Sequence, residues 1–280
     1  MSLIDGRGIA TTITAEVAHT VSELRDGGVA PTLGVVVPSH DEASEWYVRA
    51  ITRAAERTGV ECRIERLDRP DRAGVARTLD GLCVDPAVHG VICQTPLPEG
   101  VRLEDVAAHI DPAKDVDGAN PTSLGRLAAG LPAYTPATAA AALEILRREE
   151  VPLRGSRAVV VGRSTVVGKP VALLLLAEHA TVTVCHTRTR DLAAVCVEAD
   201  VIVAAAGRAG LIGADHVRPG AVVIDVGTNP SPDGGIVGDV DPVVAERAGK
   251  LTPVPGGVGP VTTVVLLRQT AEAAGALRTG

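Results

Sequence analysis

The segment Gly162-Arg163-Ser164-Thr165-Val166-Val167-Gly168-Lys169-Pro170 follows a short valine-rich run and precedes an apolar stretch suited to a helix. Glycine at either end would let a pyrophosphate approach backbone N–H groups at a helix N-terminus, where the helix dipole favours anions. Pro170 falls near the first helical position, where a missing N–H costs nothing. The segment is not G-x-G-x-x-G: Ser164 replaces the middle glycine and the loop is one residue longer. Taken alone it reads better as a plain strand–turn–helix with no ligand. About twenty residues further on, where an NAD site usually carries an acid for the ribose 2′-hydroxyl, stands His186-Thr187-Arg188-Thr189-Arg190. An acid would repel a 2′-phosphate, whereas arginine binds it through charge-assisted hydrogen bonds. This chemistry favours NADP over NAD, against the alternative of a solvated basic loop tip.

Three further segments combine rigid prolines with permissive glycines or acids: Gln94-Thr95-Pro96-Leu97-Pro98, Lys114-Asp115-Val116-Asp117-Gly118, and Thr252-Pro253-Val254-Pro255-Gly256-Gly257-Val258-Gly259-Pro260. Such loops hold a defined path while letting a flat ligand approach the backbone.

The elements that must position these segments alternate. Residues 8–26 read as a helix, 32–38 as a buried strand, 43–58 as a helix stopped by Gly59, 60–67 as a strand, 73–84 as a helix and 88–93 as a strand. After residue 99 come loops and short helices, then a strong helix over 136–149. The second half reads as strand 157–161, helix 169–178, strand 181–185, short helix 190–197, strands 201–205 and 221–225, and a closing helix 261–277. Uninterrupted Val/Ile strands suit a parallel sheet covered on both faces, and the alternation predicts an α/β fold. The two halves place the boundary near residues 136–150.

Composition narrows the function. The 280 residues include one Trp, two Tyr and no Phe (Trp46, Tyr47 and Tyr134), although 46% are apolar. The net charge is −7, from 27 basic and 34 acidic residues. That balance argues against a nucleic-acid binder, which needs basic excess for phosphates and rings for stacking. The five cysteines form neither a C-x-x-C pair nor zinc spacing, and no apolar run is long enough to span a bilayer. The start lacks the basic and apolar regions of a signal peptide. The expectation is a cytoplasmic protein without a metal; His40-Asp41-Glu42, three consecutive residues, makes a poor metal site.

Together the four segments, with IDGRGIA near the start, Ser44-x-x-Tyr47, AVVIDVGTN and GDVDP, resemble the bifunctional methylenetetrahydrofolate dehydrogenase/methenyltetrahydrofolate cyclohydrolase family over essentially the whole chain. The resemblance implies an N-terminal α/β folate domain, residues 1–140 completed by a C-terminal helix 261–280, and a Rossmann-type dinucleotide domain, 141–260, usually in a homodimer. It implies NADP as cofactor and a tetrahydrofolate derivative as substrate. Tyr47 would stack on the folate, Gln94 would hydrogen-bond near the reacting centre and Asp117 would anchor the pterin; these are the expected catalytic residues. Ser44, Ile51, Pro96, Pro255, Gly256 and Gly257 would also contact substrate. Gly162, Arg163, Ser164, Val167, Gly168 and Thr228 match cofactor-contacting positions, with Thr187 and Arg188 beside the 2′-phosphate. Read without the resemblance, Tyr47 could be an ordinary helix-face tyrosine, Gln94 a cap on a strand-end carbonyl and Asp117 an Asx-turn acceptor. Asp115 and His186 read as structural.

One departure bears on chemistry. Bifunctional members carry Tyr-x-x-x-Lys, whose spacing puts both side chains on one helix face. Here Ile51 stands where that lysine should be, and Arg49 and Arg53 point away from the Tyr47 face. Isoleucine can neither polarise water nor relay a proton. The expectation is a dehydrogenase with weak or absent cyclohydrolase activity. A fully bifunctional dehydrogenase/cyclohydrolase making 10-formyltetrahydrofolate, a paralogue acting on a modified folate and a non-catalytic NADP or folate binding protein stand as alternatives.

Overall fold

The computed structural model describes residues 2–39, 42–68, 70–231 and 234–278. In chain order the elements are β1 (Ser2–Leu3), α1 (Gly6–Asp26), β2 (Thr32–Val37), α2 (Glu42–Thr58), β3 (Glu61–Arg66), α3 (Arg72–Val84), β4 (Gly90–Cys93), α4 (Leu103–Ala107), α5 (Pro121–Ala128) and α6 (Ala137–Arg148). There follow β5 (Arg157–Val161), α7 (Gly168–Ala177), β6 (Thr181–Cys185), α8 (Leu192–Cys196), β7 (Val201–Ala204), β8 (Val222–Asp225), β9 (Asn229–Pro230), β10 (Ile236–Val237), β11 (Lys250–Leu251) and α9 (Val258–Arg278). The α/β reading is what the structure shows.

The chain forms two compact units. One comprises Met1–Ala10 and Thr138–Thr262, the other Thr11–Ala137 and Thr263–Gly280. The second contains a three-stranded parallel sheet in the order β3-β2-β4. Five of the six residues of β2 are buried, which is why its sequence shows no polar alternation. Val36, Val75, Leu79, Leu82, Val88 and Val91 form part of its core. Gly59, at φ 79°, ends α2, its N–H bonding the carbonyl of Ala55.

The first unit contains a six-stranded parallel sheet in the order β1-β11-β8-β7-β5-β6. Its strands bury Val159, Val161, Ile202, Ala204 and Val223 in one cluster. The two-residue strands β1 and β11 pair Ser2 with Lys250 and Leu3 with Leu251.

Strand order locates the sites. In each sheet one strand has its two successors on opposite sides: β3 and β4 flank β2, and β6 and β7 flank β5. Diverging connections leave a crevice at the carboxyl ends of such strands, where ligands of open α/β sheets bind.

Candidate active site

In the unit built on β2, helix α2 presents Ser44, Tyr47 and Ile51 at successive positions of one face. Ser44 is buried, and its hydroxyl donates to the carbonyl of Thr95 at 2.7 Å. That bond joins the start of α2 to the loop after β4, which contains Gln94 and a cis Thr95–Pro96 peptide. The hydroxyl proton of Ser44 is therefore committed to bracing this loop. Gln94 is buried directly after β4, its N–H completing the ladder to the carbonyl of Val36. Pro96 is exposed.

Ile51 has no exposed surface. It is a core residue one turn from Tyr47, and its expected contact with substrate is corrected accordingly: a side chain packed on all sides offers nothing to a ligand. Arg49 and Arg53 are exposed, as their turn away from the Tyr47 face requires.

Tyr47 is half-buried, and burial followed by the nearby Asp117 carboxylate holds its phenol above the ordinary range. Burial pushes Asp117 up to about 6, opposed by a hydrogen bond from the N–H of Ala137 and reinforced by Asp115. That bond to Asp117 Oδ1 measures 3.0 Å. Asp115 is the structural member of the pair: it accepts from the N–H groups of Ala119 and Asn120 and the hydroxyl of Ser123, at 2.9, 2.9 and 2.5 Å. Gly118, at φ 55°, lies so close to Pro136 that a Cβ would stand 2.6 Å from its ring. Gln269, on α9, binds the same two segments and was not singled out in the sequence; the signal would have been an amide inside an otherwise apolar helix face.

The groove beside the start of α3, lined by Arg66, Asp71 and Arg77 among others, contains none of these residues.

The other unit holds the dinucleotide candidates. Gly162 ends β5 at φ 132°, and a Cβ there would stand 2.0 Å from the carbonyl oxygen of Ala205. One on Gly168 would stand 2.3 Å from the carbonyl oxygen of Gly162. Both glycines are thus required by close backbone approach. The Oγ of Ser164 accepts from the N–H groups of Val167 and Gly168 at 3.2 and 3.3 Å. Two donors expected to face a pyrophosphate are therefore engaged by the loop itself, and Arg163 and Lys169 are exposed cationic groups of this segment.

The register aligns Val161 with Cys185, which sets the loops after β5 and β6 side by side. Within the second loop His186 is structural: its Nδ1 accepts from the N–H of Arg188 at 3.1 Å, and its own N–H donates to Thr189. Thr187 and Arg188 are exposed. Thr228, also exposed, is carried on a turn braced by two buried carboxylates. Asp225 accepts from the N–H groups of Gly227, Asp239 and Val240, and burial pushes it up to about 6. Asp239 accepts from three successive N–H groups, of Ala206, Gly207 and Arg208, and from the side chain of Asn229. These acids lie in the VIDVGTN and GDVDP segments, which sequence reading used only for likeness.

Pro255, Gly256 and Gly257 belong to this unit as well. The Val254–Pro255 peptide is cis, and Gly256 has φ 105° with the Arg7 side chain beside it. A Cβ on Gly6 would stand 2.0 Å from the carbonyl oxygen of Gly257, so the start of α1 packs backbone to backbone on this loop. The expected substrate residues are thus divided between units: Ser44, Tyr47, Gln94, Pro96 and Asp117 in one, and Pro255, Gly256 and Gly257 in the other.

Of the sequence's metal candidates, His40 and Asp41 lie outside the described residues. Among the described residues no group of three His, Cys, Asp or Glu is arranged to hold a metal ion, and no helix is long and apolar enough to cross a membrane.

Comparison with known proteins matches residues 4–117 to the tetrahydrofolate dehydrogenase/cyclohydrolase catalytic domain and residues 136–278 to the NAD(P)-binding domain of the same description. The chain is 61% identical over 276 residues to the bifunctional protein FolD of Parafrankia sp. (strain EAN1pec), covering 98% of this chain and 100% of the relative. It is 58% identical over 273 residues to bifunctional protein FolD 1 of Saccharopolyspora erythraea, covering 97% and 93%. Among solved structures, the bifunctional FolD methylenetetrahydrofolate dehydrogenase/cyclohydrolase of Campylobacter jejuni superposes with a TM-score of 0.96 at 36% identity, covering 99% of each chain. The Trypanosoma brucei dehydrogenase-cyclohydrolase complexed with NADP and an inhibitor gives 0.94 at 36% identity, covering 100% of this chain and 99% of that one.

Proposed function

Because the chain belongs to the tetrahydrofolate dehydrogenase/cyclohydrolase family, we propose that it oxidises 5,10-methylenetetrahydrofolate to 5,10-methenyltetrahydrofolate with NADP, and that its hydrolysis of the methenyl product is weak or absent. NADP supplies the hydride acceptor when bound. The chain supplies orientation, which is the protein's main lever in hydride transfer. Tyr47 offers a ring face to the folate, Gln94 an amide near the reacting carbon, and Asp117 a carboxylate for the pterin's N–H donors. Gly162 and Gly168 pack against the protein's own backbone at Ala205 and Gly162, which fixes the path of the loop that a dinucleotide would meet. Arg163 and Arg188 are the groups that would meet its phosphates. We take the enzyme to work as a cytoplasmic homodimer.

The observation that carries the hydrolytic half of this reading is the complete burial of Ile51 with Arg49 and Arg53 exposed. Hydrolysis needs an activated water, and no basic side chain of α2 takes the place of a lysine beside Tyr47. The rival reading, full bifunctionality, is favoured by the names of relatives up to 61% identical. One assay separates the two. Protein, methylenetetrahydrofolate and NADP are mixed, and NADPH and methenyltetrahydrofolate are followed together. NADPH should appear with methenyltetrahydrofolate accumulating in step. Absence of NADPH above background would sink the dehydrogenase reading; methenyltetrahydrofolate vanishing faster than in buffer would establish the rival.

A further inference from the structure

We propose that Gln269, on the C-terminal helix, is a positioning residue for Asp117, fixing both the loop that carries the carboxylate and the segment that donates to it. The inference rests on the reading of Asp117 as an anchor for the folate.

Gln269 is buried in the same unit as Asp117. Its Nε2 donates to the carbonyl of Val116 at 2.7 Å and to that of Thr135 at 3.0 Å, and its Oε1 accepts from the N–H of Thr135 at 3.2 Å. Reversing the amide would turn Oε1 toward two carbonyl oxygens, so the partners admit one orientation. Val116 immediately precedes Asp117. Thr135 lies two residues before Ala137, whose N–H reaches the Asp117 carboxylate. Between these points Gly118 packs against Pro136. The 116–118 and 135–137 segments are thus held together by direct packing, by the Asp117–Ala137 bond, and by one amide bound to both.

A glutamine that merely filled the core would need only to satisfy its own polar atoms. This one directs three bonds to backbone next to the Asp117 clamp, across 134 and 153 residues of sequence, and accepts a fourth from the hydroxyl of Thr135 at 3.5 Å. Replacing it with an apolar side chain leaves two carbonyls and an N–H without their partner and lets the segments separate. The Ala137 bond is what opposes burial at the Asp117 carboxyl, so loosening it moves the ionisation upward. Tyr47 from α2 and Asp115 from the same loop are the titratable groups coupled to Asp117, and neither is bonded to Gln269.

The test compares Gln269→Leu and Gln269→Asn with wild-type enzyme and with Thr270→Val. Thr270 is the neighbouring buried polar residue, and its hydroxyl donates within α9 to the carbonyl of Leu266. Asn leaves room for water and keeps the comparison available should Leu not fold. The Gln269 variants should raise KM for methylenetetrahydrofolate by about tenfold or more, move the acid limb of kcat/KM to higher pH, and leave NADPH affinity within about twofold. Thr270→Val should lower thermal stability without moving that limb. A Gln269 variant that loses stability but keeps the wild-type KM and pH profile overturns the proposal. Asp117→Ala is measured alongside. If it leaves the folate KM unchanged, the assignment of Asp117 falls and the positioning role with it. If it raises KM while the Gln269 variants do not, only the positioning role falls.

Discussion

The carboxylate of Asp117 accepts the backbone N–H of Ala137 at 3.0 Å while remaining half-buried beside Tyr47. One good hydrogen bond does not offset the desolvation of the charge, and the carboxyl ionises at about 6 instead of 3.8. The sign follows from linkage. A pKa raised in the folded state stabilises the protein below the unfolded value, and that contribution is lost as pH rises through about 6.

Asp117→Asn keeps an acceptor for Ala137 and removes the titration. Its stability relative to wild type should rise between about pH 4 and pH 6, by on the order of 1 kcal/mol after allowance for partial exposure. Thermal midpoints at pH 4, 5 and 7 measure this, and a pH-independent difference would contradict it. Folate KM should rise most above about pH 6, where wild-type Asp117 is ionised and the neutral amide is the weaker acceptor.

Arg163 and Arg188 stand exposed on adjacent loops at the ends of β5 and β6. Arg188→Ala should cost the 2′-phosphate a charge-assisted hydrogen bond, lowering kcat/KM with NADP by about 10–100-fold. Activity with NAD should hardly move. A parallel loss with both cofactors would place Arg188 away from the 2′-phosphate.

Gly162→Ala would set a methyl group about 2.0 Å from the carbonyl oxygen of Ala205, at φ 132°. Strain and overpacking each cost about 1–3 kcal/mol, so a marked fall in thermal stability is expected together with loss of NADPH binding. Gly81→Ala, in α3 with open space around the new Cβ, is the comparison and should be neutral or slightly stabilising.

Ile51→Lys reintroduces the group that the family resemblance makes conspicuous. Because Ile51 has no exposed surface, the ammonium must either reach past Tyr47 toward the ligand or be buried without a counter-charge. The expected outcome is lower stability, by roughly 2–4 kcal/mol, with faster disappearance of methenyltetrahydrofolate than in wild type. Stability loss with unchanged hydrolysis would show that a lysine here is insufficient.

The α/β alternation was legible because buried parallel strands are written as unbroken Val and Ile runs and helices end at local signals such as Gly59. Gly162, Gly168 and the strand-end loops were legible for the same reason: chain reversal and close approach constrain residue type locally. Helices α4 and α5 could be read only as a region of loops and short helices, and β1 and β11 are two residues long and carry no period at all. Ser44 could be matched to a motif, yet its bond to Thr95 spans 51 residues, and nothing near Ser44 indicates it.

The sequence by itself determined the alternation of the main helices and strands, the family and the isoleucine four residues after Tyr47, since each depends on residue identity at short spacing. Only the tertiary structure decided that Ile51 is core, that Ser164 engages the helix donors expected to face a phosphate, and that Asp225, Asp239 and Gln269 brace the candidate loops. Burial and hydrogen-bond partnership depend on which distant segments the packed sheets and helices bring together. A carboxylate or amide therefore reads alike in the chain whether it meets solvent, a ligand or three backbone N–H groups.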